Sequence, residues 1–199
     1  MADEKQVEFY NNFVDHFDEQ KDNGRNETFR NWLRKWIYEK KKVLDFGAAL
    51  GYNSGFLKKE MGCEVHGIDL SPKCVEIASS RFPDCSWYAG DITEGFDPGV
   101  RGFDYIVMSD VIEHVPQDRH EHLFHVLGAW SSPSAVILAS IPNPENYETA
   151  KNQTYQPIEE RVEIPELLRA MRSSGFLRVV SLFLESDLYY RMVVQKASP

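Results

Sequence analysis

The chain has 199 residues, 42% of them hydrophobic, which is enough for one domain with a sizeable core. Its net charge of −9 argues against nucleic acid as a partner, because such binding needs a basic surface that displaces counterions. No stretch approaches the roughly 20 apolar residues of a membrane span, and the polar, mixed-charge start from Met1 to Gln6 is no secretory signal, so the chain reads as cytoplasmic.

In chain order, Phe9, Phe13 and Phe17 recur every four residues and place one aromatic face on a first helix. Lys21 to Asn26 reads as a loop, followed by a helix with Trp32, Leu33, Trp36 and Ile37 facing the core. Lys40, Lys41 and Lys42 read as a solvated helix end whose cations complement the dipole. Strands are predicted near 42–46, 64–68, 85–88, 104–109 and 134–141, with helices near 53–60, 72–80 and 118–130 between them. That alternation predicts a parallel sheet covered on both faces. Ser71-Pro72 supplies a cap and a first-turn proline for the helix at 72–80. In Arg119 to His125 the fifth position of a zinc-protease pattern is Phe124, so no metal site is expected there, and none elsewhere. Cys63, Cys74 and Cys85 lack zinc spacing and read as reduced core thiols. Pro142 to Pro165 is long and polar, either a lid or binding loop or plain disorder. A helix over Ile164 to Ser174 stops at Gly175, and 177–184 and 188–195 form a hairpin joined by Glu185-Ser186-Asp187, which makes one strand antiparallel.

The most informative segment is Val43-Leu44-Asp45-Phe46-Gly47-Ala48-Ala49-Leu50-Gly51, a strand that ends in small residues before a helix start. Glycine allows positive φ and close approach of a ligand, and the helix start offers N–H groups. Such a turn at the head of an α/β chain marks a nucleotide-type site. A dinucleotide fingerprint would want a third glycine at Tyr52, and a phosphate loop ending in Gly-Lys-Ser/Thr is absent. Asp69 lies 18 residues after Gly51, near the separation at which an acid at the second strand's end reaches ribose hydroxyls.

The pattern Asp-x-Gly-x-Ala-x-Gly, with Asp69-Leu70, Gly90-Asp91-Ile92 and Ser109-Asp110-Val111-Ile112-Glu113-His114 after it in order, resembles the motifs of class I S-adenosylmethionine-dependent methyltransferases over roughly residues 42–196. Ala49 stands where the family usually has glycine; at positive φ it would cost about 1–2 kcal/mol. The resemblance implies a Rossmann-like α/β fold, a doubly wound, seven-stranded, mostly parallel sheet with a C-terminal antiparallel hairpin. One domain would span 1–199, with 1–40 as an N-terminal helical cap and 42–196 as catalytic core. It implies S-adenosyl-L-methionine as cofactor, bound by Asp45, Gly47, Ala49, Gly51, Asp69, Leu70, Asp91, Ile92 and Ser109, with Tyr10 as a contact from the covering helix.

The expected reaction is methyl transfer to a small-molecule acceptor, with oxygen as the acceptor atom. Histidine titrates near working pH, so His114 is the expected general base, with Glu113 orienting or assisting it. The reading that both only pack or touch the cofactor stays open, as do a protein or peptide acceptor, a nicotinamide-dependent reductase and a non-catalytic methyltransferase-like partner protein. Oligomeric state is not legible.

Overall fold

The computed structural model describes residues 4–19, 24–38, 40–147 and 158–197. These fall into two compact units, Met1–Pro98 and Gly99–Pro199. The seven strands run in the order β3-β2-β1-β4-β5-β7-β6, a mixed sheet in which β7 runs antiparallel to both of its neighbours.

In the first unit, α1 (Glu4–Asn12), α2 (Val14–Glu19) and α3 (Gly24–Trp36) precede β1 (Lys42–Phe46), α4 (Tyr52–Met61), β2 (Glu64–Asp69), α5 (Pro72–Arg81) and β3 (Ser86–Ala89). β1 and β3 both pair with β2 in parallel. Val43, Leu44 and Val65 are buried, as expected of near-continuous apolar strands covered on both faces. The aromatic face predicted on one helix is divided between two, because the backbone breaks at Phe13. Phe9, Phe13 and Phe17 still meet in sequence, the first pair stacked and the second edge to face, with centroids 5.0 and 5.1 Å apart, and Phe17 packs against Val14, Leu50 and Cys74. The helix expected after Asn26 starts earlier, at Gly24, and buries Phe29, Trp32 and Leu33; Trp36 is only half-buried. Phe29 at three and four residues before that pair extends the apolar stripe by one turn.

The second unit contains β4 (Phe103–Ser109), α6 (His120–Trp130), β5 (Ser131–Pro142), α7 (Ile164–Arg172), β6 (Phe176–Glu185) and β7 (Tyr189–Lys196). β4 and β5 are parallel, whereas β7 runs antiparallel to both β5 and β6. Ser186 and Asp187 both have positive φ, 52° and 57°, the sense of twist a tight hairpin requires. On α6, Leu123, Phe124, Leu127 and Trp130 are buried while His122 and His125 are exposed. His120 departs from the expected solvated helix: it is buried, with Nε2 2.9 Å from the Val115 carbonyl. All three cysteines are free and buried, and burial pushes the thiols of Cys74 and Cys85 up to about 11.

The turn after β1 shows how closely sequence and packing are matched. Gly51 has φ 80°, and a Cβ there would lie 2.4 Å from the Trp87 ring; one at Gly67 would lie 2.3 Å from the same ring. Both glycines therefore make room for an indole whose Nε1 donates to the Phe82 carbonyl at 3.0 Å. Ala49 sits at φ 46°, so its methyl group is strained in the left-handed region. Ala49→Gly should stabilise the chain by about 1 kcal/mol and raise its Tm by about 2–4 °C in calorimetry. An unchanged or lower Tm would mean that the turn carries no such strain.

Candidate functional site

The first unit assembles nine of the expected residues around the C-terminal ends of β1, β2 and β3. Asp69 closes β2 and is the hub. Its Oδ2 accepts the Ala49 N–H at 2.7 Å, and its Oδ1 accepts the Ser71 N–H at 2.9 Å. One carboxylate thus fixes the turn after β1 and the start of α5. Burial raises its pKa above the usual carboxylate range, while backbone donors pull the other way. Ser71 Oγ accepts the Cys74 N–H and donates to Asn11 Oδ1 at 2.6 Å, and Lys73 N–H also reaches Asn11. Asn11, which the sequence does not single out, therefore holds α1 against the end of β2. Half-buried Tyr10 is carried there with it, its carbonyl 3.8 Å from Cys74 Sγ.

Asp45 is placed differently from a ligand-facing acid. It is buried and accepts the Ser54 hydroxyl at 2.6 Å, so it anchors the first turn of α4 to β1. Burial first, and the nearby Asp69 charge after it, raise its pKa to about 6, against the hydrogen bond from Ser54. The turn's amides are also spent internally. Gly47 and Ala48 donate to the Ile68 carbonyl and Gly51 to that of Ala48. β2 and the turn itself engage these three N–H groups. A pyrophosphate needs such donors; a phosphate-free nucleoside needs mainly acceptors for its diol and amino group.

Those acceptors are present. Asp69 also takes the Leu70 N–H, so its carboxylate carries three backbone donors and keeps spare acceptor capacity suited to a ribose hydroxyl. Asp91 caps a short 3₁₀ turn, taking the Thr93 N–H and hydroxyl at 2.8 and 2.7 Å, both through Oδ1. Its Oδ2 takes part in neither bond. Leu70 is half-buried at the bend after β2, and Ile92 is buried behind Asp91.

The second unit gathers the remaining three. Ser109 ends β4, half-buried and paired in register with Ser140. Asp110 comes next at φ 49°, its N–H bonded to the Ser140 carbonyl and its Oδ1 accepting the Ser140 hydroxyl at 2.9 Å. Glu113 and His114 belong to a 3₁₀ turn, Ile112–His114. Glu113 is buried, with Oε1 3.9 Å from His114 Nε2. His114 Nδ1 lies 2.8 Å from the Ile158 carbonyl. A carbonyl only accepts, so Nδ1 carries the hydrogen and Nε2 is the nitrogen that can take up a proton. Burial lowers the His114 pKa below the usual 6.5, partly offset by the Ile158 carbonyl and the charge of Asp110. Glu159 Oε2 stands 3.6 Å from Nδ1.

Ile158 and Glu159, 44 and 45 residues beyond His114, escape sequence reading, as does Asp110. Ile158 and Glu159 belong to the segment after β5, Pro142 to Pro165, expected as a lid or binding loop; its residues 148–157 lie outside the described residues. A small pocket in this unit is lined by Glu113, Asn143, Tyr147 and Glu159 among others. The Glu160 N–H donates to the Glu113 carbonyl at 2.8 Å, which ties that segment to the turn bearing His114.

Among known proteins, the pattern of a family described as a methyltransferase domain matches residues 17–188. The fold is similar to that of the N-methyltransferase NodS from Bradyrhizobium japonicum WM9, in complex with S-adenosyl-L-homocysteine, at 14% identity and a TM-score of 0.76, covering 96% of this chain and 98% of that one. It is similar to a TehB-like SAM-dependent methyltransferase from Corynebacterium glutamicum at 18% identity, TM-score 0.75, covering 94% and 98%. The cyclopropane synthase MmaA2 from Mycobacterium tuberculosis gives 14% identity and TM-score 0.70 over 85% and 83%. No curated protein sequence matches the chain.

The raised Asp45 pKa has a signed consequence. The folded state holds its proton more tightly than the unfolded state, so this contribution to stability is complete below pH 3.8 and lost as pH rises through about 6. The loss amounts to about 3 kcal/mol. Asp45→Asn keeps an acceptor for Ser54 and should flatten this part of the curve when urea midpoints are measured from pH 4 to 7. A variant curve parallel to the wild type would show that Asp45 is not the group responsible.

Proposed function

The chain belongs to the class I S-adenosylmethionine-dependent methyltransferases, and from that premise we propose that it methylates a hydroxyl oxygen of a small-molecule acceptor, with His114 as the general base. The observation that carries the base assignment is the Ile158 carbonyl against His114 Nδ1, which leaves Nε2 as the proton-accepting nitrogen of a neutral imidazole. S-adenosylmethionine supplies an electrophilic methyl carbon and leaves as the uncharged thioether. Asp69 and Asp91 would hold its ribose and adenine through the acceptor atoms described above, while Gly47, Ala49 and Gly51 shape the turn beside it. Leu70 and Ile92 add apolar contact, and Ser109 and Tyr10 complete the proposed cofactor set.

The chain's own part in the step is alignment and proton removal. Positioning two reactants in line supplies roughly 7–11 kcal/mol of such a barrier. As the acceptor oxygen bonds to carbon, its proton passes to His114 Nε2. The imidazolium so formed is steadied by Glu113, and by Asp110, whose charge favours the protonated ring. The proton then leaves to solvent. Burial favours the neutral ring at pH 7, so no proton must first be stripped from it. Solved structures of the same fold include an N-methyltransferase and a cyclopropane synthase, so the acceptor atom must be argued from the base and not from the fold.

Two measurements test this reading. In calorimetry, Asp69→Ala and Asp91→Ala should each weaken S-adenosylmethionine binding at least about tenfold, the scale of one lost hydrogen bond to a charged group. Binding unchanged in both would remove these acids from the cofactor site. With small hydroxyl-bearing acceptors, His114→Gln should lower kcat about 10²–10⁴-fold while leaving cofactor affinity intact. The wild-type profile should lose activity only below pH 6.5, where the ring protonates. Full turnover by the variant across pH, or turnover only with amine or peptide acceptors, would refute the oxygen assignment.

A further inference from the structure

β6 is the outermost strand of the sheet, pairing along one side with β7. Among the described residues, every large apolar side chain that is exposed lies on this strand or in the turn after it, apart from Tyr38. Leu177, Val180, Leu182 and Phe183 are 52, 41, 40 and 40% exposed. A long apolar edge left open to water invites pairing with another strand.

The ladder to β7 shows what that other strand must be. Residues opposite each other share a face, so Arg178, Ser181, Phe183 and Glu185 lie on one face through Gln195, Val193, Arg191 and Tyr189. Val179, Leu182 and Leu184 lie on the other through Val194, Met192 and Tyr190. Two register shifts, between Phe176 and Arg178 and between Val179 and Ser181, absorb Leu177 and Val180 as extra residues. Without the second shift, Arg178 and Glu185 would stand on opposite faces. With it, they share a face and sit at equal distances on either side of Leu182, three β7 positions each way. The strand is therefore complementary to itself. A two-fold axis through Leu182 sets Leu182 against its own copy and Val179 against Leu184. It also sets Arg178 against Glu185, twice. Arg178 is exposed, and Arg191 engages Glu185 only through Oε2, at 2.9 Å from Nε and 2.5 Å from Nη2, which leaves Oε1 to meet a second guanidinium.

We propose that the chain dimerises through β6, two copies pairing this strand antiparallel about Leu182 so that Arg178 and Glu185 meet across the axis and one sheet continues through both. An identical strand meets the registration that the charges demand without any further partner.

Sedimentation velocity on the full chain tests this directly. The wild type should be dimeric at micromolar concentration and Leu182→Lys monomeric, with the Tm of the monomer kept because the side chain is exposed. Arg178→Glu, which places like charges opposite each other twice, should raise the dimer dissociation constant at least about tenfold. Leu182→Cys, oxidised, should form an intermolecular disulfide much faster than Val179→Cys or Tyr38→Cys, a measurement that stands even if the lysine variant does not fold. A wild type that remains monomeric at about 100 µM overturns the proposal, since a stable interface would hold well below that concentration. So does a dimer that Arg178→Glu leaves intact and Leu182→Cys does not cross-link.

Discussion

The site in the first unit depends on one carboxylate with two loyalties. Asp69 receives the Ala49 N–H from the turn after β1 and the Ser71 N–H from the start of α5, so two loops that meet the end of β2 are set by a single side chain. Ser71 passes the constraint on through its hydroxyl to Asn11, and so to the aromatic helix that carries Tyr10. A half-buried acid stripped of much of its water is costly, as its raised pKa records, and the amides around it recover part of that cost. The carboxylate keeps acceptor capacity beyond these amides, which turns a structural tie into a candidate ribose acceptor.

Strain gathers where this chain bends sharply at the end of a strand. Ala49 after β1 and Asp110 after β4 both take left-handed φ, and each is held by a hydrogen bond from its own N–H, to Asp69 and to Ser140. Surrounding structure over-determines both, which is the condition under which such backbone persists. In the second unit the same logic extends to protonation. The Ile158 carbonyl selects one tautomer of His114, and burial keeps that ring neutral. The Ile158 carbonyl and the charge of Asp110 favour the charged ring without outweighing its loss of water. The proposed base is thus prepared by position and not by an unusual side chain.

Much of the fold is legible because it rests on local signals. Apolar runs ending in small or acidic residues mark β1, β2 and β4, and the Ser71-Pro72 pair marks α5. Glu185-Ser186-Asp187 marks the hairpin, whose two left-handed residues suit a tight turn. Period alone carries no sign of the interruption at Phe13, so the aromatic segment reads as one unbroken helix. Gly24 to Asn26 reads as loop because its glycine and polar residues outweigh a helix whose stability comes from burying Phe29. Gly51 is legible as a glycine that the turn requires. Its other reason, the Trp87 ring pressed against it and against Gly67, is not, since 36 residues separate Gly51 from Trp87.

The amino-acid order by itself determined the succession of strands and helices, the acids that close β2 and β3, and the placing of His114 just after β4, because each depends on neighbours within a turn or two. Only the tertiary structure decided what those groups do to one another: that Asp45 anchors Ser54 inside the protein, that the Gly47, Ala48 and Gly51 amides are already used, and that a carbonyl 44 residues away fixes the imidazole's proton. Hydrogen-bond partners and burial are properties of contact between distant segments, and periodicity, which counts only along the chain, carries no record of them.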